Sequence, residues 1–129
     1  MTEANAETLA KIAPRMQAAQ NIWFASVRPD GRPHLVPIWF VWHDGKVWIS
    51  TGAGSRKDKN IEQNPHVSVS LEGGANPVVI EGLARQETDP AIRDQLAPVF
   101  MHKYEWDFRT DDEYGMLISV TPTKILFGA

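Results

Sequence analysis

Two Asp-Gly pairs, Asp30-Gly31 and Asp44-Gly45, each stand between runs rich in aromatic and β-branched residues. Glycine accepts the positive φ that tight hairpin turns demand, so each pair signals two antiparallel strands joined locally. The runs they separate, NIWFASV, HLVPIWFVW and VWIST, are predicted to form a three-stranded meander. Pro37 falls inside the second run and has no N–H to give to a ladder. The pairing there must meet a bulge, a sheet edge or a site.

Further strands follow downstream. HVSVSLE alternates apolar and polar residues as a half-buried strand does, Gly73 to Pro77 interrupts it, and VVIEGLARQE resumes the pattern. MLISVTP and KILFGA supply a final strand, expected to break at Pro122. Three helices punctuate the strands. The first is expected over Glu3 to Gln20, with Thr2 as N-cap, Leu9, Ile12, Ala13, Met16 and Ala19 at helical spacing, and a kink or division at Pro14. A short one is expected over Lys57 to Gln63, anchored by Ile61. The third starts at an Asp89 cap with Pro90 in its first position and ends near Tyr104.

Six or seven antiparallel strands in 129 residues would leave costly open edges unless the sheet closes on itself. A mainly β, α+β architecture is therefore expected: a small antiparallel barrel with peripheral helices. Residues 1–129 suit one core and a single domain, with a leading helix over 1–20 and the barrel over 21–129.

Composition narrows the functions available. The chain has no cysteine, which excludes disulfides, thiolate metal sites and a cysteine nucleophile. The four histidines lack metal-ligand spacing, no metal site is expected, and the acidic run Asp111-Asp112-Glu113 reads as a solvated turn. With 13 basic and 16 acidic side chains the net charge is −3, so no nucleic-acid partner is expected and any anion site must be local. No apolar run approaches the roughly 20 residues that span a bilayer, and MTEANAETLA lacks the pattern of a secretory signal. No membrane association and a cytoplasmic home are the expectation.

The segment that carries chemistry is VWISTGAGSRKDKNIEQNPHVSVSL. A glycine-containing turn running into a helix N-terminus presents free N–H groups to an anion, and Arg56 and Lys57 add a guanidinium fork and a point charge. Hydroxyls of Ser50, Thr51 and Ser55 can complete a phosphate site. The alternative is a solvated helix start.

GSRK followed by IEQNPHVSVSL, reached from a hairpin strand, resembles the FMN-phosphate segment of the pyridoxamine 5′-phosphate oxidase-like family, the FMN-binding split barrels. The likeness runs from about Asn21 to Arg85. It implies a six- to seven-stranded antiparallel split barrel that holds FMN, or the deazaflavin coenzyme F-420, and acts as an oxidoreductase. It also implies a homodimer with the cofactor at the subunit interface and a small-molecule substrate. By the resemblance, Ser50 and Thr51 lie beside the cofactor, Ser55, Arg56 and Lys57 take its phosphate, and the backbone of Val36, Pro37 and Ile38 follows the ring edge. Asn60 either braces the phosphate loop or touches the cofactor. The oxidases carry a glutamine where Pro77 stands here, and a basic aromatic C-terminal segment where this sequence has KILFGA, which argues against pyridoxamine phosphate as substrate. A non-catalytic flavin-sequestering protein and a haem-handling split barrel are the alternatives. No residue pattern names a catalytic group.

Trp23, Trp39, Trp42 and Trp48 fall on strands and are expected in the core. Trp106 lies in a polar, irregular stretch, and with Tyr104 and Phe108 it is a candidate to cover the ring from the partner subunit.

Overall fold

The computed structural model describes residues 1–128. Its strands are β1 (Thr2–Glu3), β2 (Asn21–Val27), β3 (Pro33–Trp39), β4 (Val41–His43), β5 (Lys46–Thr51), β6 (His66–Ser70), β7 (Val78–Glu87) and β8 (Met116–Phe127). The helices are α1 (Ala6–Ala18), α2 (Arg56–Gln63) and α3 (Pro90–Tyr104), with a 3₁₀ turn over Phe108–Thr110. All pairings are antiparallel, in the order β3-β2-β6-β7-β8-β5-β4, and β1 adds to β8.

That order corrects the expected meander. β3 and β4 are consecutive in the chain, yet they occupy opposite ends of the sheet. Trp39 still pairs with Asn21 of β2, Phe40 turns fully into the core, and Val41 already pairs with Trp48 of β5. Two neighbouring residues can serve opposite ends of one sheet only if the sheet curls round to bring those ends together, which is the split barrel. Closure is partial. β4 covers only Lys46 to Trp48 of β5, so among the described residues no strand lies beside the outer edge of β5 beyond Trp48.

Both Asp-Gly turns form as the sequence indicates. Asp44 (φ 55°) and Gly45 (φ 67°) both take left-handed conformations, the requirement of a tight two-residue hairpin. Pro37 pairs in register with Trp23, and β3 is an edge strand, so the proline sits where a missing N–H leaves no ladder donor unmade.

Other expectations are corrected. Asn5, not Thr2, caps α1 by accepting the Thr8 N–H at 2.9 Å, while Thr2 is drawn into β1 by pairing with Ile125. Pro14 lies within one continuous α1. Pro122 does not end β8, because the irregularity is absorbed by a register shift opposite Glu81 and Gly82. Glycine is required at 82, where a Cβ would lie 2.6 Å from the Thr121 carbonyl oxygen.

Ile12 and Met16 of α1 plug the barrel against Ile22, Phe24, Ile49, Ile80 and Val120. A second cluster under α3 joins Val41, Trp48, Leu96, Phe100, Phe108 and Leu117. No helix among the described residues is long and apolar enough to cross a membrane.

Candidate functional site

A cavity of about 510 Å³ opens where the barrel fails to close. Pro37, Ile38 and Trp39 of the β3 edge face Ser50 and Thr51 of the uncovered β5 end across it. Lys57 of α2 enters from one side, and Tyr104, Trp106, Asp111 and Tyr114 close the other. The volume lies in the ordinary range for organic ligands, roughly 300–1,000 Å³.

The basic end is built by the turn into α2. Ser55 caps the helix, its Oγ accepting the Asp58 N–H at 3.3 Å. The buried Asp58 carboxylate reaches back to accept the Gly54 N–H at 2.7 Å and, on its other oxygen, the Gln86 amide at 2.6 Å. The loop is thus held by its own helix, and Arg56 and Lys57 stay free: among the described residues, neither has a carboxylate within ion-pair distance. Burial lowers the Lys57 ammonium below its usual range. Burial also lowers His34, with smaller contributions from the charges of Arg28, Lys57 and Arg56. Arg28, Arg56 and Lys57 all act on His34, Asp30 lies near Arg28, and the unpaired Arg56 and Lys57 are donors of the kind a phosphate dianion satisfies.

The other end is aromatic. Trp39 stacks on Tyr104 with centroids 4.4 Å apart and planes within 4°, and Trp106 meets Trp39 edge-on at 6.4 Å. The Tyr104 hydroxyl accepts the Phe40 N–H at 2.9 Å, and its proton lies between the carbonyls of Phe40 (2.7 Å) and Gln20 (2.8 Å). Lys103 Nζ also donates to the Phe40 carbonyl, at 2.9 Å. These bonds satisfy both main-chain groups of Phe40, the residue between β3 and β4 that belongs to neither ladder. Trp106 donates to Asp111 Oδ2 at 3.1 Å, while Asp111 Oδ1 accepts the N–H groups of Glu113 and Tyr114, both at 2.8 Å. The backbone donors of Tyr114 and Glu113 hold the Asp111 carboxyl below its usual range, and the Trp106 indole adds to this.

Of the residues singled out in the sequence, Pro37, Ile38, Ser50, Thr51, Lys57 and Trp106 line the cavity together. Ser50 spends its proton on the Tyr114 carbonyl at 2.5 Å. Val36, Ser55, Arg56 and Asn60 do not line it. Arg56 borders a smaller cavity of about 260 Å³ with Arg28, Pro29, Asp30 and Arg32, the last two forming an ion pair. Asn60 is fully buried and donates to Ser26 Oγ at 3.0 Å, tying α2 to β2, and its Oδ1 has no partner. Phe108, expected as ring cover, is instead fully buried beneath α3. Trp39, expected in the core, is 45% exposed at the cavity. Tyr114 and Asp111 were not legible as site residues, since an acidic turn carries no signal beyond the Asx-type bonding Asp111 performs.

The family model of pyridoxamine 5′-phosphate oxidase matches residues 8–127. The chain belongs to the pyridoxamine 5′-phosphate oxidase family. Solved structures with the same fold include a conserved hypothetical protein of Mycobacterium tuberculosis, 24% identical over 92% of this chain and 82% of that one, with a TM-score of 0.80. An F420 reductase is 21% identical over 86% and 92% of the two chains, with a TM-score of 0.69. HutZ, the heme storage protein of Vibrio cholerae, is 18% identical over 92% and 93%, with a TM-score of 0.76. At these identities the likeness is one of fold. No curated protein gives a match. The fold thus occurs in structures tied to different ligands, and the fold alone does not choose among them.

Proposed function

We propose that this single-domain chain is a flavin-dependent oxidoreductase that holds FMN in the open seam of its barrel. The observation that carries the reading is the polarity of one cavity: among its lining residues the unpaired ammonium of Lys57 enters from α2, with Arg56 next to it in the chain, and four aromatic rings stand opposite. A phosphate on a short tail joined to a flat ring has the same polarity.

Arg56, Lys57 and the first N–H groups of α2 would take the phosphate, with Arg28 adding positive potential. The β3 edge at Pro37 and Ile38 would run beside the ring, where backbone groups outside any ladder can meet its heteroatoms. Thr51 and Ser55 have hydroxyls near the tail, and Asn60 braces the helix through Ser26. When bound, the flavin supplies two-electron transfer to or from a small organic substrate. The chain's part is positioning and exclusion of water by Trp39, Tyr104 and Trp106. Tyr104 keeps its proton, its hydroxyl being raised to about 12 by burial, and that proton is engaged by the backbone. Tyr104 is therefore a positioning residue.

F-420 would place its phosphate on the same cations and is the alternative cofactor. Among the described residues no histidine lines the cavity, so an iron porphyrin would find no imidazole ligand of this chain there. The resemblance further implies a cytoplasmic homodimer with the site completed between subunits. Visible absorption of the purified protein, joined to mass spectrometry of the released cofactor, tests the reading. A flavin spectrum with the mass of FMN is expected, and a Soret band without flavin would overturn it. Turnover of the bound cofactor by nicotinamide donors then separates an enzyme from a sequestering protein.

A further inference from the structure

The turn that joins β2 to β3 carries a basic cavity of its own. Arg28, Pro29, Asp30 and Arg32 of the turn and Arg56 of α2 line about 260 Å³. Backbone bonds fix the turn: the Arg28 N–H donates to the Arg32 carbonyl at 3.0 Å and the Gly31 N–H to the Arg28 carbonyl at 2.9 Å, with Gly31 at φ 88°. The one acid of the cavity is already engaged. Asp30 accepts the Arg32 N–H at 3.1 Å and Arg32 Nε at 2.7 Å, and these bonds lower its carboxyl more than the charge of Arg28 does. The side chains of Arg28 and Arg56 have no hydrogen-bond or ion-pair partner among the described residues. Two guanidiniums from different elements thus border one cavity unneutralised, and their planar N–H forks match phosphate oxygens.

We propose that this turn cavity is a second anion subsite, in which Arg28 and Arg56 hold a phosphate group lying beyond the phosphate of the cofactor. The proposal rests on the FMN reading for the first phosphate and adds a second. Lys57 lines the seam cavity while Arg56, the preceding residue, lines the turn cavity. Consecutive Cα atoms lie about 3.8 Å apart, so the two cavities are neighbours across the start of α2. The charges of Arg28, Lys57 and Arg56 all disfavour protonation of His34, which places the three cations around one region. Arg56, with five N–H donors, can serve both anions. A phosphate that ends at Lys57 leaves Arg28 unpartnered, whereas a pyrophosphate continuous with the flavin, or a separate phosphate-type anion beside FMN, engages it.

Two titrations distinguish these sources, each with the parent and Arg28→Gln. FMN and FAD share the ring and ribityl chain, and FAD adds a second phosphate with its adenosine. Arg28→Gln should cost FAD at least about tenfold more affinity than it costs FMN, as expected of a charge-assisted contact made only by the second phosphate. Inorganic pyrophosphate, titrated calorimetrically into FMN-loaded protein, should bind the parent and bind Arg28→Gln at least about tenfold more weakly if the anion is separate. Either result supports the subsite. The proposal is overturned if Arg28→Gln leaves the preference between FAD and FMN unchanged, or FAD is refused, and pyrophosphate binds both FMN-loaded proteins alike or neither. Should the parent take no flavin, Arg28-dependent binding of pyrophosphate to it supports the subsite and refutes the FMN reading alone, and its absence overturns both.

Discussion

The Tyr104 hydroxyl lies 2.9 Å from the Phe40 nitrogen and 2.7 Å from its carbonyl oxygen, so one side chain bonds both main-chain polar groups of one residue. That residue is where the chain leaves one end of the sheet and joins the other. The same tyrosine forms the stacking partner of Trp39. Barrel closure and the aromatic wall of the cavity therefore share one anchor.

Tyr104→Phe keeps the ring but strands the Phe40 N–H in the core. An unsatisfied buried donor costs about 1–3 kcal/mol. Denaturant unfolding should show a lower midpoint with an unchanged slope, because the surface exposed on unfolding is the same.

Asp58→Ala should weaken anion binding without touching a cation. It removes the acceptor that folds Gly54 back onto α2 and leaves the Gly54 N–H and the Gln86 amide without that partner. A drop of about tenfold or more in FMN affinity is expected, read by flavin fluorescence quenching, together with destabilisation of about 1–3 kcal/mol.

Gly82→Ala forces a methyl group to within 2.6 Å of the Thr121 carbonyl and 2.8 Å of a Val120 methyl. Overpacking of this kind costs about 1–3 kcal/mol. Calorimetry should show Tm lower by several degrees, with the cofactor site intact if binding is measured well below the transition.

Lys103 and Tyr104 give opposite pH dependences. Burial holds Lys103 at about 8, below its usual 10.5, so between these values the unfolded chain binds more protons and stability rises with pH. Tyr104 is raised to about 12 from 10, so above pH 10 the folded chain holds the extra proton and stability falls. Urea midpoints compared at pH 7.5 and 9.5 should rise less in Lys103→Met than in the parent. An identical rise would contradict the burial of this ammonium.

Local signals served where local chemistry decides structure. The Asp-Gly turns, the Asp89 cap with Pro90, and the Ser55 entry to α2 all form, because each rests on φ preferences or a cap within a few residues. The break at Phe40 was hidden. Nothing in HLVPIWFVW says that Trp39 ends a pairing with β2 and Val41 begins one with β5, since what brings the two ends of the sheet together is its curl through β6, β7 and β8. The site was legible in the same proportion. Its basic end is one contiguous segment, whereas its aromatic end brings Trp39 against Tyr104 and Asp111 beneath Tyr114 through the curl of the sheet and the C-terminus of α3. Asp58 carries no signal in the sequence, because a carboxylate beside two cations looks like a surface charge, while in the structure it is buried and folds the loop from inside.

Whether the cations of α2 hold a cofactor phosphate is tested most directly by titrating FMN and riboflavin, which lacks the phosphate, into cofactor-free protein and into the Arg56→Ala, Lys57→Ala double variant. The parent should bind FMN at least about a hundredfold more tightly than riboflavin, as expected of two charge-assisted contacts to phosphate. In the variant that gap should largely close while riboflavin affinity holds. An equal preference for FMN in both proteins would contradict the assignment.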